Sequence, residues 1–193
     1  MKSIGDIKER AQLENVPILK DEGFEYLKEK ILEYHCHSFL EIGTAVGFTA
    51  IRVAQLDPSM RVVTIERDPE RAQQARENIQ QMHLEDQITL IEKDAFEVEL
   101  NDTFDCIFID AAKAQYTRFF HKFSPLLSCH GIIISDNMKF HGLVEHPERT
   151  KNRNTRQLVR KLKEYHDFLE QLDDFIVEFT DQGDGMALAR RKI

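Results

Sequence analysis

Short apolar runs alternate with longer segments of mixed polarity along most of the chain. The short runs are rich in β-branched and other apolar residues and are bounded by turn-forming positions, which is typical of buried β-strands. Strands are predicted at residues 38–42, 61–66, 87–92, 103–110, 131–135, 175–180 and 186–190. This alternation favours an α/β fold with a mostly parallel, seven-stranded sheet.

The segments between these runs have helical character. Helices are predicted at residues 4–14, 22–35, 48–56, 69–82, 115–127 and 155–172, with a polar loop at 139–152. Pro69 fits the first turn of its helix, where a proline loses no helical hydrogen bond. The last two strands flank a Gln-Gly-Asp-Gly turn at 182–185, which suits a hairpin. We therefore expect an antiparallel pair at the end of the sheet.

Composition narrows the class of protein. The chain has 193 residues, of which 41% are hydrophobic and 31% charged, and we expect one domain over residues 1–193. No apolar run approaches the roughly 18 residues of a membrane span, and the charged start has no signal-peptide pattern. These features lead us to expect a cytoplasmic protein without a membrane partner. Cys36, Cys106 and Cys129 lack Cys-x-x-Cys spacing, which favours small core residues over a disulfide frame or zinc site.

Acidic residues and glycines follow the first three predicted strands. Gly43 and Gly47 allow a sharp turn after the first strand and close approach of a ligand. Glu66, at the end of the second strand, could accept both ribose hydroxyls of an adenosine. Asp94, after the third, could accept from an adenine amino group or cap a short helix. NAD enzymes share the first two features, but the turn is not Gly-x-Gly-x-x-Gly, so no pyrophosphate cradle is indicated.

Further polar residues follow the fourth and fifth strands. Asp110 ends the fourth and Asp136-Asn137 ends the fifth. Because the ends of adjacent parallel strands lie about 5 Å apart, these side chains are expected to converge. Two carboxylates and an amide oxygen are hard ligands that suit Mg²⁺. The alternative is a helix cap at the first and a turn at the second.

A lysine and two histidines lie close to these acids in the sequence. Lys113 could serve as a general base for a hydroxyl group, although a surface lysine is the alternative. His141 and His146 lie in the polar loop and are expected to be solvated.

At this point the motifs resemble those of a known family. VPIL at 16–19, EIGTAVGFT at 41–49, IDAAK at 109–113, SDN at 135–137 and GDG at 183–185 look like the cation-dependent O-methyltransferases of the catechol and caffeoyl-CoA superfamily. The resemblance covers nearly the whole chain. It implies the Rossmann-like fold of class I methyltransferases, S-adenosylmethionine (SAM) and Mg²⁺ as cofactors, and commonly a homodimer.

The resemblance also implies site residues. Asp110, Asp136 and Asn137 would hold Mg²⁺, and Lys113 with Asp110 would carry the catalysis. SAM would lie against Leu19, Thr49, Glu66, Asp94, Ala95 and Asp110, and the turn residues Glu41, Gly43 and Thr44 complete the predicted cofactor site.

Within the family, the chain looks most like the bacterial branch that includes the tRNA 5-hydroxyuridine methyltransferase. The implied substrate is wobble 5-hydroxyuridine, which would become 5-methoxyuridine; a small catechol-like phenol is the alternative. Both substrates carry two adjacent oxygens that can chelate a metal, so metal chemistry does not separate them.

One segment is strongly basic, although the chain as a whole has a net charge of −8. Residues 149–163 contain seven basic side chains and no acid. We expect Arg149, Lys151, Arg153 and Arg156 to contact RNA phosphates. For these basic residues the alternatives are a solvated helix face or a contact with a dimer partner. Tyr116 and Phe140 could stack on a base or could equally be core residues. Two other classes remain open at this stage, a nucleotide-binding oxidoreductase and a non-catalytic RNA-binding module.

Overall fold

The computed structural model describes residues 3–140, 142–144 and 146–192. Seven strands and six α-helices alternate along them. The helices are α1 (Ile4–Leu13), α2 (Asp21–Glu33), α3 (Phe48–Ala54), α4 (Pro69–Gln81), α5 (Tyr116–Phe123) and α6 (Arg153–Glu170). The strands are β1 (Ser38–Ile42), β2 (Arg61–Glu66), β3 (Ile88–Glu92), β4 (Phe104–Ile109), β5 (Leu127–Ser135), β6 (Phe175–Thr180) and β7 (Met186–Arg191). Short 3₁₀ turns cover Lys113–Gln115, Ser124–Leu126 and Pro147–Arg149.

The strands form one sheet in the order β3-β2-β1-β4-β5-β7-β6. The first five in this order run parallel to one another, while β7 pairs antiparallel with both β5 and β6. The strand order reverses between β1 and β4, and ligands of open α/β sheets bind at such a switch point, outside the carboxyl ends of the strands. The predicted parallel sheet and antiparallel closing hairpin are therefore confirmed.

Two apolar layers cover the two faces of the sheet. Consecutive residues of a strand point to opposite faces, so Phe39 packs in one layer and Leu40 in the other. The first layer includes Leu27 of α2 and Ile51 of α3, whereas α5 and α6 pack in the second. All five residues of β1 are buried, which places this strand at the centre of the molecule.

Several element boundaries differ from the sequence prediction. The predicted helix 115–127 is divided: α5 ends at Phe123, and Pro125 lies in a following 3₁₀ turn because proline cannot supply a helical N–H. β5 begins at Leu127, four residues before its predicted start. α6 begins at Arg153 because the Asn152 side chain accepts from the amides of Asn154 and Thr155, at 2.9 and 3.1 Å.

The cysteine prediction is correct in part. Cys36 and Cys106 are buried, but Cys129 is exposed. Among the described residues, no helix combines the length and apolar character needed to cross a bilayer.

Candidate active site

A cavity of about 550 Å³ lies at the carboxyl edge of the sheet. Its wall is formed by the ends of β1 to β5, by the link between α1 and α2, and by the turn between β6 and β7. Leu19 contributes from the link, and Gly183 and Asp184 contribute from the turn. This is where the topology alone places a ligand.

Gly43 allows the turn after β1 to pass close to the end of β4. Its φ is +101°, and an added Cβ would collide with the carbonyl group of Asp110. Its amide donates to the Ile65 carbonyl at 3.0 Å, which ties the turn to β2 as well. Gly47 directly precedes α3 and has a left-handed backbone conformation, with φ +81°. The glycine turn thus brings the ends of three strands together at the cavity.

Glu66 lies on the cavity wall at the end of β2, as predicted. Its carboxylate accepts from the Ala45 amide at 2.8 Å and from the Asp68 amide at 2.9 Å. These bonds hold one oxygen towards each neighbouring turn, and a carboxylate can accept further hydrogen bonds on both oxygens. The geometry therefore presents a fixed acceptor to the cavity.

Asp94 lies on the wall after β3, beside the buried Ala95. One carboxylate oxygen accepts from the Phe96 amide at 2.9 Å, which is the local turn that aspartate often makes. The other lies 3.6 Å from the Arg67 guanidinium. The turn-stabilising role and the adenine-binding role proposed for this residue are thus compatible.

Three predicted cofactor residues do not lie on the cavity wall. Glu41, Thr44 and Thr49 are buried inside the protein. The Thr64 hydroxyl donates to Glu41 and forms a hydrogen bond with Thr44. Burial raises the pKa of Glu41 well above its ordinary value, and the charges of Asp110 and Glu66 raise it further. The structure therefore places these three side chains inside the protein and off the cavity wall.

Asp110 and Asp136 meet at the wall. Each follows a paired strand residue, Ile109 in β4 and Ser135 in β5. The Asp136 amide donates to the Ile109 carbonyl at 3.2 Å, which extends the pairing by one residue. Asn137 adjoins them on the wall and donates from its side-chain amide to Asp136. The predicted convergence of these three residues at one edge is therefore present.

The electrostatics of this pair are unfavourable without a cation. Asp136 is only 4% exposed, and among the described residues its Oδ1 has no hydrogen-bond partner. Burial and the nearby charge of Asp110 raise the pKa of Asp136 to about 7. Burial also raises the pKa of Asp110, against the lowering effect of Lys113. An unpaired buried carboxylate oxygen is costly, and a bound cation would remove that cost.

Lys113 begins the 3₁₀ turn after β4 and lies on the cavity wall. Its positive charge lowers the pKa of both Asp110 and Asp136, so it is close enough to interact with each of them. This position fits the predicted role at a reacting hydroxyl group better than a plain surface location.

Sequence reasoning missed Asp184. It treated the GDG motif only as a turn and as part of the resemblance. In the structure Asp184 is largely buried on the cavity wall, and its charge contributes to the raised pKa of Asp136. The turn is held in place because the amides of Met138 and Lys139 donate to Gly185 and Asp184 carbonyls, each at 2.9 Å. The signal was available, since a turn that returns beside β5 necessarily approaches the Asp136 end.

An aromatic wall was also missed. Phe96 and Phe119 stack with ring centroids 4.8 Å apart, and the Arg118 guanidinium lies 4.0 Å from the Phe96 ring centre. All three residues border the cavity. They belong to two segments more than twenty residues apart, so no local pattern reveals their contact.

The basic segment lies outside the cavity wall. Four of its exposed residues lie on the last 3₁₀ turn (Arg149), in the following link (Lys151) and at the start of α6 (Arg153 and Arg156). The Tyr165 hydroxyl bonds the Ser135 hydroxyl at 2.7 Å, which fixes the later part of α6 at the end of β5. Arg153 lies twelve residues earlier in the helix, about 18 Å along its axis. The basic start of α6 is therefore well separated along the helix from its contact with β5.

Tyr116 is a core residue, which is one of the two alternatives that the sequence left open for it. Its side chain is 1% exposed, and its hydroxyl donates to the Asp136 carbonyl at 3.2 Å. Phe140 is partly buried against the core layer of α5 and α6. His146 is exposed, as expected, and lies 3.3 Å from Glu148; His141 lies outside the described residues.

Comparison with known proteins shows which protein family this chain resembles. The sequence profile of a family described as O-methyltransferase matches residues 1–192. A catechol O-methyltransferase from Niastella koreensis is 33% identical over 108 residues, which are 52% of this chain and 49% of that protein. A caffeoyl-CoA O-methyltransferase from Populus kitakamiensis is 28% identical, over 95% of this chain and 82% of that protein. The chain spans about half the length of the first curated relatives that it matches.

Solved structures show the same relationship in three dimensions. A candidate caffeoyl-CoA O-methyltransferase from Staphylococcus aureus superimposes with a TM-score of 0.93 and 34% identity, over 100% of this chain and 93% of that one. An O-methyltransferase from Bacillus cereus, in complex with SAH, shares the fold with a TM-score of 0.83 and 24% identity, over 100% and 92% of the two chains. The profile match over nearly the whole length and the close structural relative together show that this chain belongs to the O-methyltransferase family.

Proposed function

We propose that this protein transfers a methyl group from SAM to a hydroxyl oxygen, with Mg²⁺ bound at Asp110, Asp136 and Asn137. The observation that carries the proposal is the pair of neighbouring aspartates on the wall of the cavity, one of which has a buried oxygen without a hydrogen-bond partner among the described residues. In the reaction the oxygen attacks the methyl carbon, the carbon–sulfur bond breaks, and SAH leaves.

The adenosine end of the cavity fits SAM. Glu66 offers an acceptor for the ribose hydroxyls, and Asp94 offers one for the adenine amino group. The Phe96–Phe119 wall adds an apolar surface for a flat ring. A volume of about 550 Å³ lies within the usual range of small-ligand sites. SAH in the Bacillus cereus structure gives independent support for this class of ligand.

The metal end fits a hard divalent cation. Two carboxylates and an amide side chain form the donor set, and carboxylate and amide oxygens are the ligands that Mg²⁺ prefers. A bound Mg²⁺ supplies Lewis acidity that lowers the pKa of the substrate hydroxyl. The raised pKa of Asp136 has its largest causes in burial and in the charge of Asp110, and both effects are opposed by a cation at this place.

Lys113 is the residue proposed to accept the hydroxyl proton. It borders the same cavity as Asp110 and Asp136 and interacts electrostatically with both. Leu19 and Asp184 are both buried and also border this cavity. Positioning of the two reactants in this enclosed space would supply much of the rate.

The first candidate substrate is 5-hydroxyuridine at the wobble position of tRNA. The basic segment supports it, because it carries exposed cationic side chains, among them Arg149, Lys151, Arg153 and Arg156. Phosphate contacts by such residues fix a nucleic acid without reading its sequence. The splayed base would then enter the cavity.

The second candidate is a small catechol-like phenol. The names of the Niastella koreensis and Populus kitakamiensis relatives favour it. For either substrate, we also propose that the protein is a homodimer and is located in the cytoplasm. Size-exclusion chromatography with light scattering tests the dimer.

One experiment separates the two candidates. The protein is incubated with methyl-labelled SAM and Mg²⁺, with either tRNA that lacks the wobble methyl group or catechol. We expect methyl transfer to tRNA, loss of that transfer in EDTA, and weaker tRNA binding in an Arg153→Ala/Arg156→Ala variant. Lys28→Ala is the control, since Lys28 is a partly exposed basic residue of α2.

The outcomes are distinct. Transfer to catechol alone would select the second candidate, and full activity in EDTA would reject the metal. NAD(P) binding without SAM binding would reject methyl transfer altogether. Unchanged tRNA binding by the double arginine variant would leave the basic segment without the proposed role.

A further inference from the structure

The backbone at the predicted metal ligands is strained. Asn137 has φ +60°, in the left-handed region that residues other than glycine seldom adopt. Such a conformation persists only when the surrounding structure holds it. Hydrogen bonds do so on both sides, from the Asp136 amide to Ile109 at 3.2 Å and from the Met138 amide to Gly185 at 2.9 Å.

A third bond comes from a side chain. The Tyr116 hydroxyl donates to the backbone carbonyl of Asp136 at 3.2 Å, so it acts on the peptide unit between Asp136 and Asn137. Tyr116 is 1% exposed, and its ring packs edge-on against Tyr165, with centroids 5.4 Å apart. The direction of this hydroxyl is therefore fixed by packing on the ring.

Tyr116 also belongs to the segment that presents Lys113. The 3₁₀ turn Lys113–Gln115 runs directly into α5, whose first residue is Tyr116. Residues three apart in such a turn lie on the same side of it. Lys113 therefore borders the cavity from the same turn that is bonded, through Tyr116, to the Asp136 backbone.

We propose that Tyr116 is a positioning residue: its hydroxyl holds the Asp136–Asn137 peptide and fixes that segment relative to Lys113. Tyr116 does not border the cavity, and it acts through the Asp136 backbone. The inference rests on the proposed function for its consequence in metal binding, but the hold on the peptide is a property of the protein alone.

The chain offers a matched control. Tyr165 is as buried as Tyr116, and its hydroxyl bonds Ser135, the residue before Asp136, at 2.7 Å. Tyr165→Phe removes one buried hydroxyl from the same aromatic pair but leaves the bond to Asp136 in place. Both Phe variants retain the ring, so the packing of the pair is preserved.

The first measurement is hydrogen–deuterium exchange of the metal-free protein, followed by mass spectrometry. In Tyr116→Phe, amides of residues 136–140 are expected to exchange about fivefold faster than in the wild type, the factor for one ordinary hydrogen bond. Residues 38–42 of β1 should exchange unchanged. Tyr165→Phe should leave the 136–140 segment at the wild-type rate.

The second measurement is Mn²⁺ binding followed by electron paramagnetic resonance. Loss of a partner that orients a metal ligand typically weakens binding by ten- to a hundredfold, and we expect about tenfold for Tyr116→Phe. Tyr165→Phe should bind Mn²⁺ as the wild type does.

Equal exchange of residues 136–140 in the wild type and Tyr116→Phe would overturn the inference. Equal acceleration in both Phe variants, or acceleration in β1 as well, would also overturn it, because it would show general loosening. If the wild type bound no Mn²⁺, the proposed metal function would fail, while the exchange experiment would still decide the role of Tyr116.

Discussion

Asp136 lies one residue beyond the β4–β5 pairing and shares the cavity wall with Asp110. Its amide reaches the Ile109 carbonyl, and its carboxyl group, 4% exposed, feels the charge of Asp110. Asp136 is buried and Asp110 partly buried, and two interacting carboxyl groups in such surroundings cannot both ionise without a cost. The protein thus maintains an arrangement that lowers its own stability and that a divalent cation would relieve.

The first prediction concerns pH and stability. The pKa of Asp136, about 7, is above the ordinary carboxyl value. Between these two values the folded protein holds more protons than the unfolded chain, so the free energy of unfolding of the metal-free protein falls as pH rises and levels off above pH 7. Asp136→Asn has no carboxyl group to ionise here, so it should not lose stability in this way. At pH 8 in EDTA its free energy of unfolding should exceed that of the wild type by on the order of 2 kcal/mol.

Urea denaturation at pH 5 and pH 8 measures the effect. The gain should shrink towards pH 5, and Asp86→Asn, which alters an exposed carboxyl group, should show none of it. A pH dependence in Asp136→Asn equal to that of the wild type would contradict the prediction.

The second prediction concerns the glycine turn. Gly43→Ala forces a Cβ against the Asp110 carbonyl and a φ of +101° on an L-residue, so we expect a loss of stability of roughly 3 kcal/mol. Gly142→Ala is the control: its φ is +74°, but no described atom lies within 4 Å of the added Cβ. It should cost about 1 kcal/mol. Thermal and urea unfolding compare them, and equal losses would show that the contact with Asp110 does not matter.

The third prediction concerns the adenosine end. Glu66→Gln keeps the shape of the side chain but removes a charged acceptor from the cavity wall, so SAH should bind about tenfold more weakly. Glu92 pairs with Glu66 across β2 and β3 but lies off the wall and bonds Arg76 at 3.0 Å. Isothermal titration calorimetry of Glu92→Gln should give the wild-type affinity. A variant at Glu66 that binds SAH as tightly as the wild type would argue against its role at the ribose.

The fourth prediction concerns Lys113. If its amine accepts a proton, both Lys113→Met and Lys113→Arg should lower kcat by about a hundredfold or more, because arginine keeps the charge but does not give up its proton at neutral pH. SAH binding should remain within a factor of two in each variant. Single-turnover kinetics with saturating SAM measures the methyl-transfer step. Retention of most of the rate by Lys113→Arg would show that only the positive charge is needed.

The sequence was sufficient to predict which polar residues follow each strand and therefore collect at the cavity. Acids and glycines placed directly after apolar strands mark the carboxyl edge, because parallel strands all end at one edge of the sheet. Glu66, Asp94, Asp110, Asp136 and Asn137 all lie on the cavity wall for this reason.

Prediction was less successful where a residue's direction depends on strand parity or on distant contacts. Glu41 is also an acidic residue near the carboxyl end of a strand, yet its side chain points into the interior and accepts a hydrogen bond from the Thr64 hydroxyl. The sequence allows Tyr116 to be either a stacking aromatic or a core residue. In the structure it is buried, and its hydroxyl donates a hydrogen bond to the Asp136 backbone carbonyl. The sequence indicates only a turn at Asp184, yet the antiparallel pairing of β7 with β5 brings it to the cavity wall near Asp136.

The chain itself, through its alternation of apolar and polar positions, determined the elements, the parallel sheet and the edge at which polar groups collect, since these depend on local periodicity and on the geometry of parallel strands. Only the tertiary structure decided which of those groups face the cavity, how deeply Asp136 is buried and which hydroxyl holds its backbone. Burial and hydrogen-bond direction arise from contacts between segments far apart in the chain, and local patterns carry no record of them.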